Sequence, residues 1–443
     1  MSNPTDGINE SNKKLTRIHD QLCCVNSNLE TIDTTLNVGT AITLANTPQL
    51  DSFGRLRVSE PFTLFDSSHR FDDNGLWSTS TATGGTSVFN TNQGLVDLNV
   101  TAASGSSVLR ETIKVFSYQP GKSLLVLNTF VMSSAKAGLT QRVGYFGTGN
   151  GYYLEQAGTT VQLVERSSVT GAVVNTPVLQ ANWNGDKLDG TGPSGLTLDL
   201  SKSQILWSDF EWLGVGSVRM GFVINGQFIV CHTFHHANLL ASTYITTASL
   251  AIRYEIFNTA GTTGSSTLKQ ICSTVISEGG YELKGSQQAV GTPITTPRTF
   301  AVAGTFYPIV SIRLQSTRLD AIVIATAISF LGLGNSKSYQ WQVVNGAITS
   351  GGTWFNAPGD SSVEYNLTGT SVTGGRILAS GYINSSNQGS PSLDILKEAL
   401  FANQLERNTF TSTAYELTFQ VAVATVSGGE SAYASIDWEE ISR

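Results

Sequence analysis

"SVRMGFVINGQFIVCHTF", residues 217–234, decides the fold class. Two alternating apolar runs flank Asn225-Gly226, a dipeptide suited to a type I′ hairpin because both residues tolerate a positive φ. Pairing outward from that turn puts Ile224 with Gln227, Phe222 with Ile229, Met220 with Cys231 and Val218 with Thr233 on one face. The other face carries Val223 with Phe228, Gly221 with Val230, Arg219 with His232 and Ser217 with Phe234. A side-chain period of two sustained this far is that of a half-buried strand.

The same signal spreads in both directions. Strands are expected at 123–132, 151–156, 160–165 and 415–426, and a second hairpin turn at Asn345-Gly346 within "YQWQVVNGAITSGGTW". The stretch 392–407, "SLDILKEALFANQLER", has helical spacing with Pro391 and Ser392 at its start. "GTPITTPRT" at 291–299 reads as a linker. Charged residues make up 13% of the 443, about half the usual share, and there are 44 glycines. Both suit a turn-rich, all-β chain.

The N-terminus breaks this pattern. "LTRIHDQLCCVNSNLETIDTTL" (15–36) places Leu15, Ile18, Leu22, Val25, Leu29, Ile32 and Leu36 at unbroken heptad spacing. Leucine at the a positions (with Ile8 one heptad earlier) and β-branched residues at d favour three or four strands over two. Positions e and g are polar, which narrows the apolar stripe to a seam for identical neighbours. Cys23 and Cys24 fall outside the seam at b and c, and Gly39 closes the helix.

Several functions are disfavoured by composition. A net charge of −7, with no basic run longer than Lys13-Lys14, offers no electrostatic hold on nucleic acid. The first residues lack the apolar core of a signal peptide. The longest apolar run, 319–334, is too short to cross a bilayer, so membrane insertion is not expected. Four cysteines, two adjacent and two far apart, form no disulfide framework and fit a chain made in a reducing cytosol.

Chemical candidates are few. Cys231, His232, His235 and His236 have zinc-binding chemistry, but strand alternation would send Cys231 and His232 to opposite faces. In "FDSSHRFDDNG", Asp66, Ser67, Ser68, His69, Asp72 and Asp73 crowd into one loop, which suits a turn better than a catalytic triad or a calcium loop. Asp209, Glu211, Asp360 and Glu364 could serve a depolymerase, yet nothing in the sequence pairs them. Aromatic platforms for a glycan could come from "NGYYLEQ" (150–156), Trp341 and Trp354. The expectation is a non-enzyme with no cofactor and no metal.

Four stretches carry a resemblance: "LDSFGRLRVSEPFTLFDSSHRFDDNGLW" (50–77), "DFEWLGVGSVRMGFVINGQFIVCHTFHHAN" (209–238), "PIVSIRLQSTRLDAIVIATAISFLGLGN" (308–335) and "IDWEEI" (436–441). They resemble a family of virion structural proteins of tailed bacteriophages. The resemblance covers most of the chain beyond about residue 48 and brings no catalytic motif. It implies a fibre, appendage or capsid-surface protein, made in the host cytoplasm and located in the virion.

The expected fold is mainly β. An N-terminal coiled-coil helix (1–40) precedes a jelly-roll or lectin-like β-sandwich (41–290) and a second β-rich domain with one helix (291–443). The expected function is a trimeric tail or head fibre mediating attachment and assembly, with a capsid-decorating, neck or baseplate protein as the alternative. The expected partners are two further copies of the chain, other virion proteins and a host-surface glycan, without nucleic acid. The heptad residues are the expected oligomerisation seam.

Overall fold

A computed structural model describes residues 14–17, 19, 50–51, 61–282, 284–386 and 404–442. The chain divides into a unit of residues 1–47 and a compact unit of residues 48–443. In the first unit, Lys14–Arg17 and His19 are helical and Leu15 is exposed. The remaining seam positions Ile18, Leu22, Val25, Leu29, Ile32 and Leu36 lie outside the described residues.

The second unit is built from antiparallel sheets. An eight-stranded sheet runs in the order Gln227–Phe234, Val218–Ile224, Gln204–Phe210, Ser123–Val131, Ser266–Glu278, Leu95–Val100, Thr86–Asn90, with Pro61–Ser68 also pairing with Ser266–Glu278. A seven-stranded sheet runs Val174–Leu179, Thr160–Ser167, Gly151–Ala157, Leu139–Phe146, Ile252–Asn258, Ser107–Thr112, Trp77–Ala82. Alternate residues of both sheets meet in one core: Val126 and Phe130, Leu98 and Val100, Met220 and Phe222 from one side, Val143, Tyr145, Tyr254 and Ile256 from the other. Two sheets sharing a core in this way make a β-sandwich.

A second sandwich follows. Ser286–Gly291, Arg298–Thr299 and Ile322–Leu333 all pair with the last strand, Ser431–Ser442. The facing sheet runs Phe355–Asn356, Val363–Asn366, Tyr307–Leu314, Glu416–Val423, Ser338–Ser350, Ser371–Asn384. Val323, Ile328 and Trp438 meet Ile309, Val343 and Phe419 in its core. The apolar run 319–334 is thus largely one strand, and among the described residues no helix is long and apolar enough to cross a membrane.

Four expectations are corrected. First, Asn225 and Gly226 do turn with positive φ (53° and 76°), and pairing holds from Ile224↔Gln227 to Gly221↔Val230. A bulge then inserts one residue, so Met220 pairs with His232, Arg219 with Thr233 and Val218 with Phe234. Gly221 permits the close approach there, since a Cβ would lie 1.8 Å from the Ile229 carbonyl oxygen. Second, Asn345-Gly346 is no hairpin turn: Ser338–Ser350 is one continuous strand. Gly346, at φ 73°, is the extra residue of a bulge between Asn345 and Ala347, a second use of the conformation that glycine permits. Third, Gln404 bridges Ile324 and Arg407 pairs with Ala414, so the end of the stretch read as a helix is extended. Residues 392–403 of that stretch lie outside the described residues, and among those described the second sandwich has no helix. Fourth, the supposed linker 291–299 lies within the second sandwich, with Gly291 and Arg298–Thr299 on the last strand.

Candidate functional site

The histidine-rich stretch is a structural joint. Cys231, the extra residue of the bulge, packs into the core, and burial pushes its thiol well above the usual range. His232 accepts a hydrogen bond at Nδ1 from the Asn184 backbone N–H (3.2 Å). Burial, with the neighbouring His235, pushes the His232 pKa down to about 4. The Asn184 side chain brackets Thr233 on both its N–H and its carbonyl, so the 184–186 loop caps the outer strand of the hairpin. His236 is tied by Nε2 to Glu165 (2.7 Å) and stacks on Tyr244 at 3.8 Å. Each of these side chains has its own anchor, and among the described residues no three metal-ligating groups gather.

The stretch 66–73 is not one loop, since Asp66–Ser68 end the strand Pro61–Ser68, and it is likewise committed to packing. The Ser67 hydroxyl oxygen accepts from Trp77 Nε1 (2.9 Å) and Asn74 Nδ2 (2.6 Å). Asp73 pairs with the buried Arg110 at 2.6 Å, and Arg110 donates onward to Gln270 and Thr79. His69 is buried without a hydrogen bond to either ring nitrogen, and desolvation lowers its pKa. Asp66 and Ser68 are exposed on the strand, and Asp72 accepts the Asp73 N–H in the turn. The four acids considered for a depolymerase are divided between the sandwiches. Asp209 pairs with Arg219, Asp360 with Arg318 and Glu364 with Arg313, while Glu211 is buried.

The expected aromatic platforms are covered. Tyr152 and Tyr153 are fully buried, Trp341 packs against the second core, and Arg313 sits 4.0 Å over the ring of Trp354. Tyr153 belongs to a lattice on the face of the seven-stranded sheet turned away from the shared core. There Arg142 pairs with Glu155 and Glu255, its cross-strand neighbours, and Arg253 pairs with Glu255 and Glu111. Guanidinium groups of Arg142 and Arg166 lie over Tyr153, and those of Arg166 and Arg253 over Phe146.

This lattice continues into the second sandwich through residues 404–410. Arg407 reaches Glu111 at 2.8 Å and Asp320 at 2.9 Å. Its backbone N–H donates to the Ile113 carbonyl, and its Nη1 to the Thr112 carbonyl. Gln404 Nε2 donates to Val115 O, Thr409 Oγ1 to Glu111, and Phe410 packs under Arg253. The Leu405 N–H meanwhile donates to Val323 O, so one extended segment binds a strand of each sandwich.

A cavity of about 260 Å³ beside this junction is lined by Phe62, Lys114, Tyr281, Ile324 and Gln404, among others, and two further open sites lie around residues 197–205. A cavity of about 290 Å³ is lined by Ser133, Ala135, Gln156, Gln180, Leu198 and Asp199, among others. A second, of about 610 Å³, shares Leu198 and Asp199 with it and extends past Gln204 to Asn225 and the exposed Cys272. Asp199 Oδ1 accepts both the N–H (3.0 Å) and the hydroxyl (2.6 Å) of Ser201. Those two bonds, the hydroxyl's first, hold the Asp199 pKa below the usual carboxylate range. Sequence reasoning missed this place. Its one local signal is the Asp199-Leu200-Ser201 spacing, which fits an Asx turn but says nothing of a cavity.

No family model matches the chain, and no curated protein is similar enough in sequence to match it. Solved structures are similar over about half of its length. The carbohydrate recognition domain of Emp47p is 11% identical over 49% of this chain and 96% of its own, with a TM-score of 0.31. A protein of unknown function from Shewanella oneidensis MR-1 is 12% identical over 51% and 90%, at 0.32. The binding domain of botulinum neurotoxin serotype C1 is 10% identical over 48% and 48%, at 0.30. Scores this low carry no argument about ligand or partner, and the architecture rests on the strand order and register given above.

Proposed function

We propose that the chain is a homo-oligomeric structural protein of a tailed-phage particle: a trimeric fibre or appendage whose work is assembly and attachment. The observation that best supports this reading is the use of charge in the body. Arg142, Arg253 and Arg407 are neutralised by acids of neighbouring strands and of the other sandwich, which ties the two sandwiches together. That is a mechanical arrangement, and the resemblance to virion proteins and the N-terminal seam agree with it. In this reading the seam joins three copies, and other virion proteins hold the assembly in place. A capsid-decorating, neck or baseplate protein would use the same body with the seam docked on another partner.

The test is the solution mass of the 47.2 kDa chain by light scattering, beside a Leu22→Asn, Leu29→Asn variant. The expected result is a trimer that falls to monomer in the variant, because each buried amide lacks a partner. A trimer that survives both substitutions overturns the seam. A monomeric wild type overturns self-association and moves the reading to the capsid-docked alternative.

A second reading, attachment through a host-surface glycan, is favoured by one observation: the polar cavity beside Asp199.

A further inference from the structure

The lining of the smaller cavity beside Asp199 is orientationally fixed. Gln141 is fully buried and bonds Ser133 through both ends of its amide, accepting from the Ser133 N–H (2.8 Å) and donating to the Ser133 carbonyl (2.9 Å). The same Gln141 Nε2 donates to Gln156 Oε1 (2.8 Å). That bond uses the Gln156 acceptor and leaves its Nε2 to donate into the cavity. Gln180 has the opposite sense. Its Nε2 donates to the Lys187 (2.9 Å) and Leu188 (3.1 Å) carbonyls, leaving Oε1 as the acceptor. With Asp199 Oδ1 taken up by Ser201, Oδ2 is the acceptor that remains on the shared wall. Val161, Leu198 and Leu200 supply the apolar part of the lining.

A fixed donor, a fixed acceptor, one carboxylate and an apolar wall match a ring whose edge carries hydroxyls and whose face carries C–H groups. Each hydroxyl both donates and accepts. The smaller cavity is lined by no Lys or Arg, and Asp199 repels anions there, so phosphate and acidic sugars are disfavoured in this subsite, whereas Lys202 lines the larger cavity. A volume of about 290 Å³ lies at the small end for ligand pockets, the scale of a single ring. The larger cavity begins at the same Leu198 and Asp199, which gives a chain of rings somewhere to continue.

We propose that the smaller cavity is a subsite for one ring of a neutral glycan, with the glycan chain running past Asp199 into the larger cavity. This deepens the glycan reading and is independent of the particle assignment, so failure here leaves the mass measurement standing.

The experiment is calorimetric titration of the full chain. The probes are glucose, galactose, rhamnose and N-acetylglucosamine, each as the monosaccharide and as a short linear oligosaccharide, with N-acetylneuraminic acid as the charged probe. The expected result is saturable binding of at least one neutral probe, its oligosaccharide about tenfold tighter than its monosaccharide. Gln180→Ala weakens binding about tenfold, the value of one hydrogen bond. Ala135→Trp, at an exposed position on the wall, abolishes it with the melting temperature unchanged. If Ala135→Trp fails to fold, Gln180→Ala decides alone. No saturable binding of any neutral probe overturns the proposal. So does binding that neither substitution alters, or a preference for N-acetylneuraminic acid.

Discussion

The two sandwiches finish their outer surfaces in different ways. In the first, alternation along Leu139–Phe146, Gly151–Ala157 and Ile252–Asn258 sends arginines, glutamates, Phe146 and Tyr153 away from the shared core, yet Glu155, Arg253, Glu255, Phe146 and Tyr153 are all buried. Guanidinium groups roof the rings, and residues 404–410 close the edge of the lattice. In the second, the six-stranded sheet ends in Ser371–Asn384, where Ile377 is 54% and Tyr382 79% exposed, beside Ile348 at 64%. Lysine, proline or short length usually blunts such an edge. This one has fourteen residues, no proline and Arg376 as its single charge. Alternation therefore says which face a side chain takes, while cross-strand charge decides whether that face is covered.

The largest test of this contrast is Arg407→Ala. It removes the cation between Glu111 and Asp320 and leaves Glu111 buried with Arg253, at 3.5 Å, as its one ionic partner among the described residues. Loss of about 4 kcal/mol is expected by chemical denaturation, the range for breaking a buried pair. Next is Tyr153→Ala, which opens a cavity beneath Arg142 and Arg166 and is expected to cost about 3 kcal/mol in the same assay.

The third test uses pH. Folding holds His232 neutral with a pKa of about 4, whereas the unfolded chain takes up a proton near its ordinary value of 6.5. Stability is therefore lost as pH falls from about 6.5 to 4, by an amount on the order of 2–3 kcal/mol. His232→Gln should lose less than the wild type between pH 7 and pH 4.5, read from urea midpoints. An equal loss would remove His232 from the account.

Smaller effects compare glycines. Gly226→Ala and Gly346→Ala each place a Cβ in open space at positive φ, so both should cost about 1 kcal/mol although one lies in a turn and the other in a bulge. Smallest is Tyr382→Ala, expected within about 0.5 kcal/mol by thermal unfolding because the ring is exposed. A loss as large as that of Tyr153→Ala would erase the contrast.

The residues announce much of this fold and little of its sites. Period-two alternation marks the strands at 123–131, 151–157, 160–167 and 416–423, because one-sided burial is written directly into hydropathy. Asn-Gly is less decisive. Gly226 and Gly346 share the same φ region, and only the tertiary pairing of 338–350 with both 371–384 and 416–423 makes one a turn and the other a bulge. The stretch ending in Arg407 has helical spacing, but backbone bonds to Ile113 and Val323 hold its end extended. The cavity beside Asp199 was not legible, since Gln156, Gln180 and Asp199 meet only after the loops fold together.

Scanning calorimetry of the full chain, with tryptophan fluorescence and far-ultraviolet circular dichroism followed in parallel, tests most directly whether the two sandwiches work as one body. The junction from Glu111 through Arg407 to Asp320 predicts a single transition, coincident by all three probes. Two separated transitions in the wild type would contradict it.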